Sequence, residues 1–219
     1  MNSRCQVDLV DMQSKPDGDY RHILVYQDHL TKFVVLRPLT EKTAKAVVHE
    51  VLDIFCLFGA PLILQSDNGR EFANALVNDL RERWPALKIV HGAPRQSQSQ
   101  GSVERANQDV EKMLNTHLRT VGIVEWADEL KFIQHQKNNA LHSGIKMSPY
   151  RTMFGMDMRA GMLSAYPAEA VENITTEEEL LEMLEHAGSP IRPSMSPNRT
   201  PPPLASTPTP FVSLIRSDC

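Results

Sequence analysis

Residues 3–160 predict an α/β fold, a mixed five-stranded sheet flanked by helices, and three observations predict it. Three β-rich runs follow one another near the N-terminus with no helical stripe between them. A short, continuously apolar run, Leu62-Ile63-Leu64, then sits between two amphipathic stretches, the pattern of a strand covered on both faces. Finally, Val103, Val110, Met113, Leu114, His117, Leu118 and Val121 recur at three- and four-residue steps after a polar, glycine-flanked loop. That spacing marks a helix that buries one face. A chain of 219 residues is long enough for one such domain with its own core, plus an appendage.

Taken in order, Cys5–Met12 reads as a strand despite two aspartates, which strands usually avoid. Lys15-Pro16-Asp17-Gly18-Asp19 is a turn signal. His22–Gln27 and Phe33–Leu36 are further strands, joined across Asp28-His29-Leu30-Thr31-Lys32, so the first three should run antiparallel. Thr40 and Thr43 are both candidate caps for a helix marked by Ala44, Val47, Val48, Val51, Leu52, Ile54 and Phe55. Gly59-Ala60-Pro61 ends it.

Ser66-Asp67-Asn68-Gly69 breaks the apolar strand, and Glu71–Arg83 shows a helical stripe through Phe72, Leu76 and Leu80. Leu87–Val90 is the fifth strand. The polar loop follows and runs into the long helix, with Glu104 in its first turn. Trp126, Leu130, Ile133 and Lys137 mark another helix, and Ser148–Gly155 a short terminal one closed by glycine. The order β-β-β-α-β-α-β-α-α is that of a sheet of mixed direction.

Beyond about residue 165 the composition changes. Glu177–His186 forms a short acidic helix, and eight of the 15 prolines lie between Pro190 and Pro210 among Ser, Thr and Arg. Such a stretch cannot bury enough surface to offset the entropy of ordering, so a disordered Pro-rich tail is expected. The expected division is residues 1–160, a folded domain, and residues 161–219, an acidic then Pro/Ser/Thr-rich tail. Charge follows the same division. The net charge is −4, yet residues 161–219 hold 3 Lys/Arg against 8 Asp/Glu while residues 1–160 hold 20 against 19. The tail supplies the acidity, so the whole-chain balance does not exclude a nucleic-acid partner for the domain.

Cys5, Cys56 and Cys219 are too few and too scattered for a disulfide framework or a zinc knuckle. No apolar run approaches membrane-spanning length, and the N-terminus lacks a signal-peptide layout. A soluble intracellular protein is expected, with no membrane partner and no small-molecule cofactor.

Three carboxylates fall where a fold could gather them: Asp8 on the first strand, Asp67 at the end of the buried strand, and Glu104 at the start of the packed helix. Asp67 suits the rule that α/β sites form at carboxyl ends of strands. Singly, each has a plain structural reading as a turn aspartate or a helix-start glutamate favoured by the dipole. Converged, they would repel one another unless hard divalent cations, Mg²⁺ foremost, sat among them. Two such ions roughly 3.5–4 Å apart suit in-line displacement at a phosphodiester.

Gln6-Val7-Asp8, Gln65-Ser66-Asp67-Asn68-Gly69-Arg70-Glu71-Phe72 and Pro94-Arg95-Gln96-Ser97-Gln98-Ser99-Gln100-Gly101-Ser102-Val103-Glu104-Arg105-Ala106-Asn107 resemble the three motifs of a retroviral-type integrase core. Met147-Ser148-Pro149-Tyr150 through Phe154-Gly155 resembles the end of that core in Gypsy-type LTR retrotransposons, and of host-captured genes with SCAN or KRAB domains. The resemblance covers roughly residues 3–160. It implies an RNase H-like fold and a DDE triad of Asp8, Asp67 and Glu104 holding Mg²⁺ or Mn²⁺, two ions in an active enzyme. It also implies a DNA partner, a homodimer through the core and a nuclear location. The gap from Asp67 to Glu104 is one residue longer than the commonest retroviral spacing, a difference the Arg83–Lys88 turn can absorb. Asp11, which strand alternation puts on the face opposite Asp8, is the rival first ligand; the resemblance selects Asp8, because the Gln-x-Asp context is the family's. Neither the His/Cys zinc domain nor the SH3-like domain of full integrases is visible in the sequence.

Gln96, Ser97, Gln98, Ser99 and Gln100 are candidate phosphate contacts on a mobile loop, and equally a plain polar connection. Arg95, Arg105 and Lys112 offer positive charge to a backbone or form a solvated face. Asn107, one turn after Glu104, is a candidate to orient that carboxylate or to contact DNA. His142-Ser143 resembles a recurrent pair of these integrases, and Trp84 and Trp126 are core anchors. Two functions follow: metal-dependent cutting or strand transfer of DNA, or an inactive captured core serving as a DNA-binding or protein-interaction module in transcriptional regulation. An RNase H-like nuclease on RNA–DNA hybrids is a third, opposed by the integrase-type loop and terminal helix.

Overall fold

A computed structural model describes residues 2–66, 80–91, 97–159, 161–164 and 166–187. Five strands form one sheet in the order β3-β2-β1-β4-β5: β1 (Arg4–Asp11), β2 (His22–Asp28), β3 (Val34–Leu39), β4 (Ile63–Ser66) and β5 (Lys88–His91). The first three are antiparallel, and β4 and β5 join parallel to β1. Every residue of β2 is buried, as a strand covered on both faces requires.

Among the described residues of the unit Met1–Ala160, the helices described from end to end are α1 (Ala44–Phe58), α2 (Ser97–Val121), α3 (Leu130–Asn139) and α4 (Pro149–Phe154). Strand alternation divides the core in two. Cys5, Val7, Leu24, Tyr26 and Leu64 pack with Val47, Val51, Ile54 and Phe55 of α1 on one face. Val10, Ile23, Val25 and Leu36 pack with Val110 and Leu114 of α2, Trp126, and Leu130 and Ile133 of α3 on the other. Thr43, not Thr40, caps α1, its side chain accepting from the Ala46 N–H at 3.3 Å. Trp126 is a core anchor as expected, buried and donating through Nε1 to the Lys15 carbonyl at 2.8 Å.

Several boundaries differ from expectation. The third strand starts at Val34 and continues to Leu39 through Pro38. It is an edge strand, and Pro38 shares the parity of Val34 and Leu36, whose N–H groups point away from β2 to Asn138 Oδ1 (2.9 Å) and Gln134 Oε1 (2.8 Å). A proline at that parity removes no ladder bond. The fourth strand runs Ile63–Ser66 instead of 62–64.

The polar stretch expected as a loop is helical from Ser97, so Glu104 is the eighth residue of α2 and not in its first turn. Gln is a good helix former, and Gly101 costs about 1 kcal/mol, less than burial of Ala106, Val110 and Leu114 contributes. Of the expected helix 71–83, residues 80–83 are helical and the rest lies outside the described residues.

The second unit is Gly161–Cys219. Its acidic helix, Glu177–Ala187, starts with a capping box: the Glu179 N–H donates to Thr176 Oγ1 (3.3 Å) and the Thr176 N–H to Glu179 Oε2 (3.0 Å). The Pro-rich stretch expected to be disordered lies outside the described residues.

Candidate functional site

Alternation along β1 sends Val7 into the layer under α1 and turns Asp8, with Val10 and Met12, toward α2. There the Asn107 Nδ2 donates to Asp8 Oδ2 at 2.7 Å, while Asp8 Oδ1 accepts the Leu9 N–H at 2.9 Å. The helix cannot slide away from this contact because Ala106, Val110 and Leu114 are buried beside it. Asn107 Oδ1 is buried and has no donor among the described residues.

Glu104 is exposed and lies three residues before Asn107 on the same helix, so the two share a face with their Cβ atoms about 5–6 Å apart. The fold therefore brings Glu104 within one helical turn of the group that holds Asp8. Asp11 is exposed, lies on the other face and sits 4.0 Å from His22 Nδ1, which removes it as a partner for Glu104.

Asp67 lies outside the described residues, as does Gln96. Ser97, Gln98, Ser99 and Gln100 fall within the first turn of α2. Arg105 is exposed, next to Glu104. Among the described residues no three metal-ligating side chains are gathered. Asp8, Glu104 and Asn107 Oδ1 offer oxygen atoms only, the donor type a hard divalent cation takes.

Gln6 and Gln65 are buried amides for which sequence reasoning named no role. They pair across β1 and β4, and Gln65 Oε1 accepts from Arg4 Nε at 3.0 Å. A signal was present: Gln-x-Asp occurs both at 6–8 and at 65–67.

No family model matches the chain. It superposes on the integrase catalytic core of HTLV-2 in complex with magnesium with a TM-score of 0.58, at 18% identity, over 69% of this chain and 96% of that one. The fold is that of a retroviral integrase catalytic core. The integrase in the simian T-cell lymphotropic virus intasome, bound to PP2A regulatory subunit B56 gamma, gives a TM-score of 0.62 at 16% identity, over 72% of this chain and 56% of that one. In sequence, the integrase-like region is 46% identical over 181 residues to human KRAB-A domain-containing protein 2, covering 82% of this chain and 37% of that protein. It is 29% identical over 182 residues to the Pro-Pol polyprotein of simian foamy virus type 3 (strain LK3), covering 83% of this chain and 15% of the polyprotein. The chain thus spans about a third or less of the curated relatives it matches. No helix among the described residues is long and apolar enough to cross a membrane.

Proposed function

We propose that this integrase core cuts or joins DNA phosphodiesters with divalent metal held by Asp8, Asp67 and Glu104. The observation that carries the reading is the 2.7 Å bond from Asn107, one turn from Glu104, to Asp8. It ties the strand carboxylate to an amide that lies three residues after Glu104 on the helix. Support for Asp67 comes from register: Gln6 pairs with Gln65, and Asp8 and Asp67 each stand two residues further on. When bound, two Mg²⁺ or Mn²⁺ ions would activate the attacking oxygen and stabilise the leaving one.

The chain's own part is placement. Asn107 and the Leu9 N–H fix the Asp8 carboxylate on the helix-facing side of β1. Glu104, exposed, remains free of a burial penalty when it approaches a cation. Arg105, Asn107 and the polar residues Gln96 to Gln100 would meet the DNA backbone. A homodimer through the core belongs to this reading, the HTLV-2 core having been solved in both a dimeric and a trimeric form, as do residues 1–160 as the working domain, 161–219 as its tail, and a nuclear location.

A second reading is a captured core that binds DNA or protein without turnover, acting in transcriptional regulation. It is favoured by the 46% identity to a KRAB-A protein, against 29% to a viral polyprotein, and by the near-neutral balance of residues 1–160. Calorimetric titration of Mg²⁺ or Mn²⁺ into the chain and an Asp67→Asn variant, followed by a DNA nicking assay, separates the two. Metal binding with triad-dependent nicking supports the enzyme; metal binding without nicking supports the module. No binding in either protein discards the site.

A further inference from the structure

A groove of about 500 Å³ opens toward the other end of α2 from Glu104, between the last turn of that helix, the β1–β2 connection and the loop that leads to α3. Arg119 lines it, and at about 1.5 Å per residue it stands ~20 Å along the axis from Glu104. The groove is therefore separate from the proposed metal ligands. Its floor is apolar: Met12, Leu118 and Trp126. The Trp126 indole is fixed by its bond to the Lys15 carbonyl at 2.8 Å and by Tyr20, which stands edge-on to it at 6.3 Å. Ile123 and Val124 form the lip. Gly122 puts them there: its φ of 78° turns the chain back at the helix end, while its N–H and that of Ile123 both reach the Leu118 carbonyl, at 2.9 and 3.2 Å.

Val124 is 82% exposed and the neighbouring Val121 53%, so apolar surface continues past the groove, unlike the singly scattered apolar residues of an ordinary surface. Among the described residues that line it, the charged ones are Lys15 and Arg119, both cations. Lys15 Nζ is held on Asn115 Oδ1 at 3.1 Å, an uncharged partner that leaves its charge in place. Nearby carboxylates turn to the backbone instead: Asp17 Oδ2 accepts the Ala127 N–H at 2.7 Å and Glu125 Oε2 the Val124 N–H at 3.3 Å, and neither residue lines the groove. The C-terminal end of a helix repels an anion, and Arg119 in the last turn of α2 offsets that. A second copy of this surface would set Lys15 and Arg119 against their own kind. Complementarity thus selects an occupant that carries aliphatic side chains and carboxylates. The lining comes from a helix end and two connections, not from a sheet edge, so the occupant has to bond its own peptide groups, as a helix does.

We propose that this groove docks an acidic amphipathic helix of a partner protein. Aliphatic side chains at i, i+3, i+4 and i+7 lie over Trp126 and Val124, with carboxylates beside Lys15 and Arg119. The proposal stands on the groove alone and is independent of the metal ligands and of DNA.

The test uses the full chain without divalent metal and a fluorescein-labelled synthetic helical peptide with leucines at that spacing and glutamates flanking them. Two companion peptides keep the leucines but carry lysine for glutamate, or keep the composition with the leucine spacing scrambled. By fluorescence anisotropy the glutamate peptide should bind saturably, more weakly as salt rises, and more tightly than either companion. Val124→Glu should weaken that binding about tenfold, and Arg119→Gln about threefold with a flatter salt dependence. Leu62→Glu, at an apolar residue 69% exposed and outside the lining, should leave it close to the unmodified chain. NMR then locates the contact, because the chain has two tryptophans and Trp84 packs against Phe55 of α1, ring centroids 5.3 Å apart. Unlabelled peptide should shift the Trp126 indole N–H signal and leave that of Trp84 in place. No saturable binding of the glutamate peptide, equal binding of the companions, equal effects of Val124→Glu and Leu62→Glu, or equal shifts of the two indoles would overturn the proposal.

Discussion

At Asn107 one amide joins the first strand to the long helix, since its Nδ2 bonds Asp8 while its neighbour Ala106 is buried. A hydrogen bond to a charged group contributes about 1.5–3 kcal/mol. Asn107→Ala should therefore lower unfolding stability in urea by about 1–2 kcal/mol, allowing for water taking the empty place. Asn107→Asp sets two carboxylates together and should lose more, with the gap narrowing as acid neutralises one of them. A second residue-scale expectation concerns Asp28. Burial alone would raise its carboxyl, but the Thr31 N–H (2.7 Å), Thr31 Oγ1 (2.9 Å) and Asn2 N–H (2.8 Å) donate to it and hold it below its ordinary 3.8. A lowered folded value means this stability is complete above the ordinary value and lost as pH falls through the lowered one. As pH falls below the ordinary carboxyl value of 3.8, the native chain should lose more urea stability than Asp28→Asn; parallel losses would show that other carboxylates govern acid unfolding.

At the scale of elements, the exposed edge of the sheet is closed by side chains, not by another strand. Asn138 accepts the Val34 N–H at 2.9 Å and donates to the Val34 carbonyl at 2.8 Å, and Gln134 takes the Leu36 N–H. Helix α3 thus supplies amides where a sixth strand would supply peptides. Asn138→Ala orphans two backbone groups and should cost about 1–3 kcal/mol, with faster hydrogen exchange at Val34. Unchanged protection there would show that the clamp is not what shields the edge. None of this was legible in the sequence, because Asn138 and Val34 are 104 positions apart and neither residue signals the other. Pro38 was misleading for a related reason: locally it reads as a stop, and only its place on the edge makes it tolerable. The local signals held where they were dense, in the apolar period of α1 and in the alternation that turned Asp8 away from Asp11. At the site the participants Asp8, Glu104 and Asn107 could be named from motif and spacing, but the bond spanning 99 positions that ties Asn107 to Asp8 could not.

For the whole folded unit, the proposed ligands belong to different layers: Asp8 to the sheet and Glu104 to the helix packed on it. An ion held by both would exist only in the folded chain and would stabilise it by mass action, by about 2.7 kcal/mol at a hundredfold excess over Kd. For a chain of this size that is a rise in Tm of about 5–10 °C. Calorimetric scans with and without Mg²⁺ should show the rise in the native chain, a smaller one in Glu104→Gln and none in Asp8→Asn. The last comparison decides the matter, because Glu177, Glu178 and Glu179 open an acidic helix in the other unit and could attract cations loosely. A rise of the same size in Asp8→Asn would assign the effect to such surface carboxylates and remove the sheet-to-helix ion from the account. A rise confined to chains that keep Asp8 requires that the layers be joined at that carboxylate.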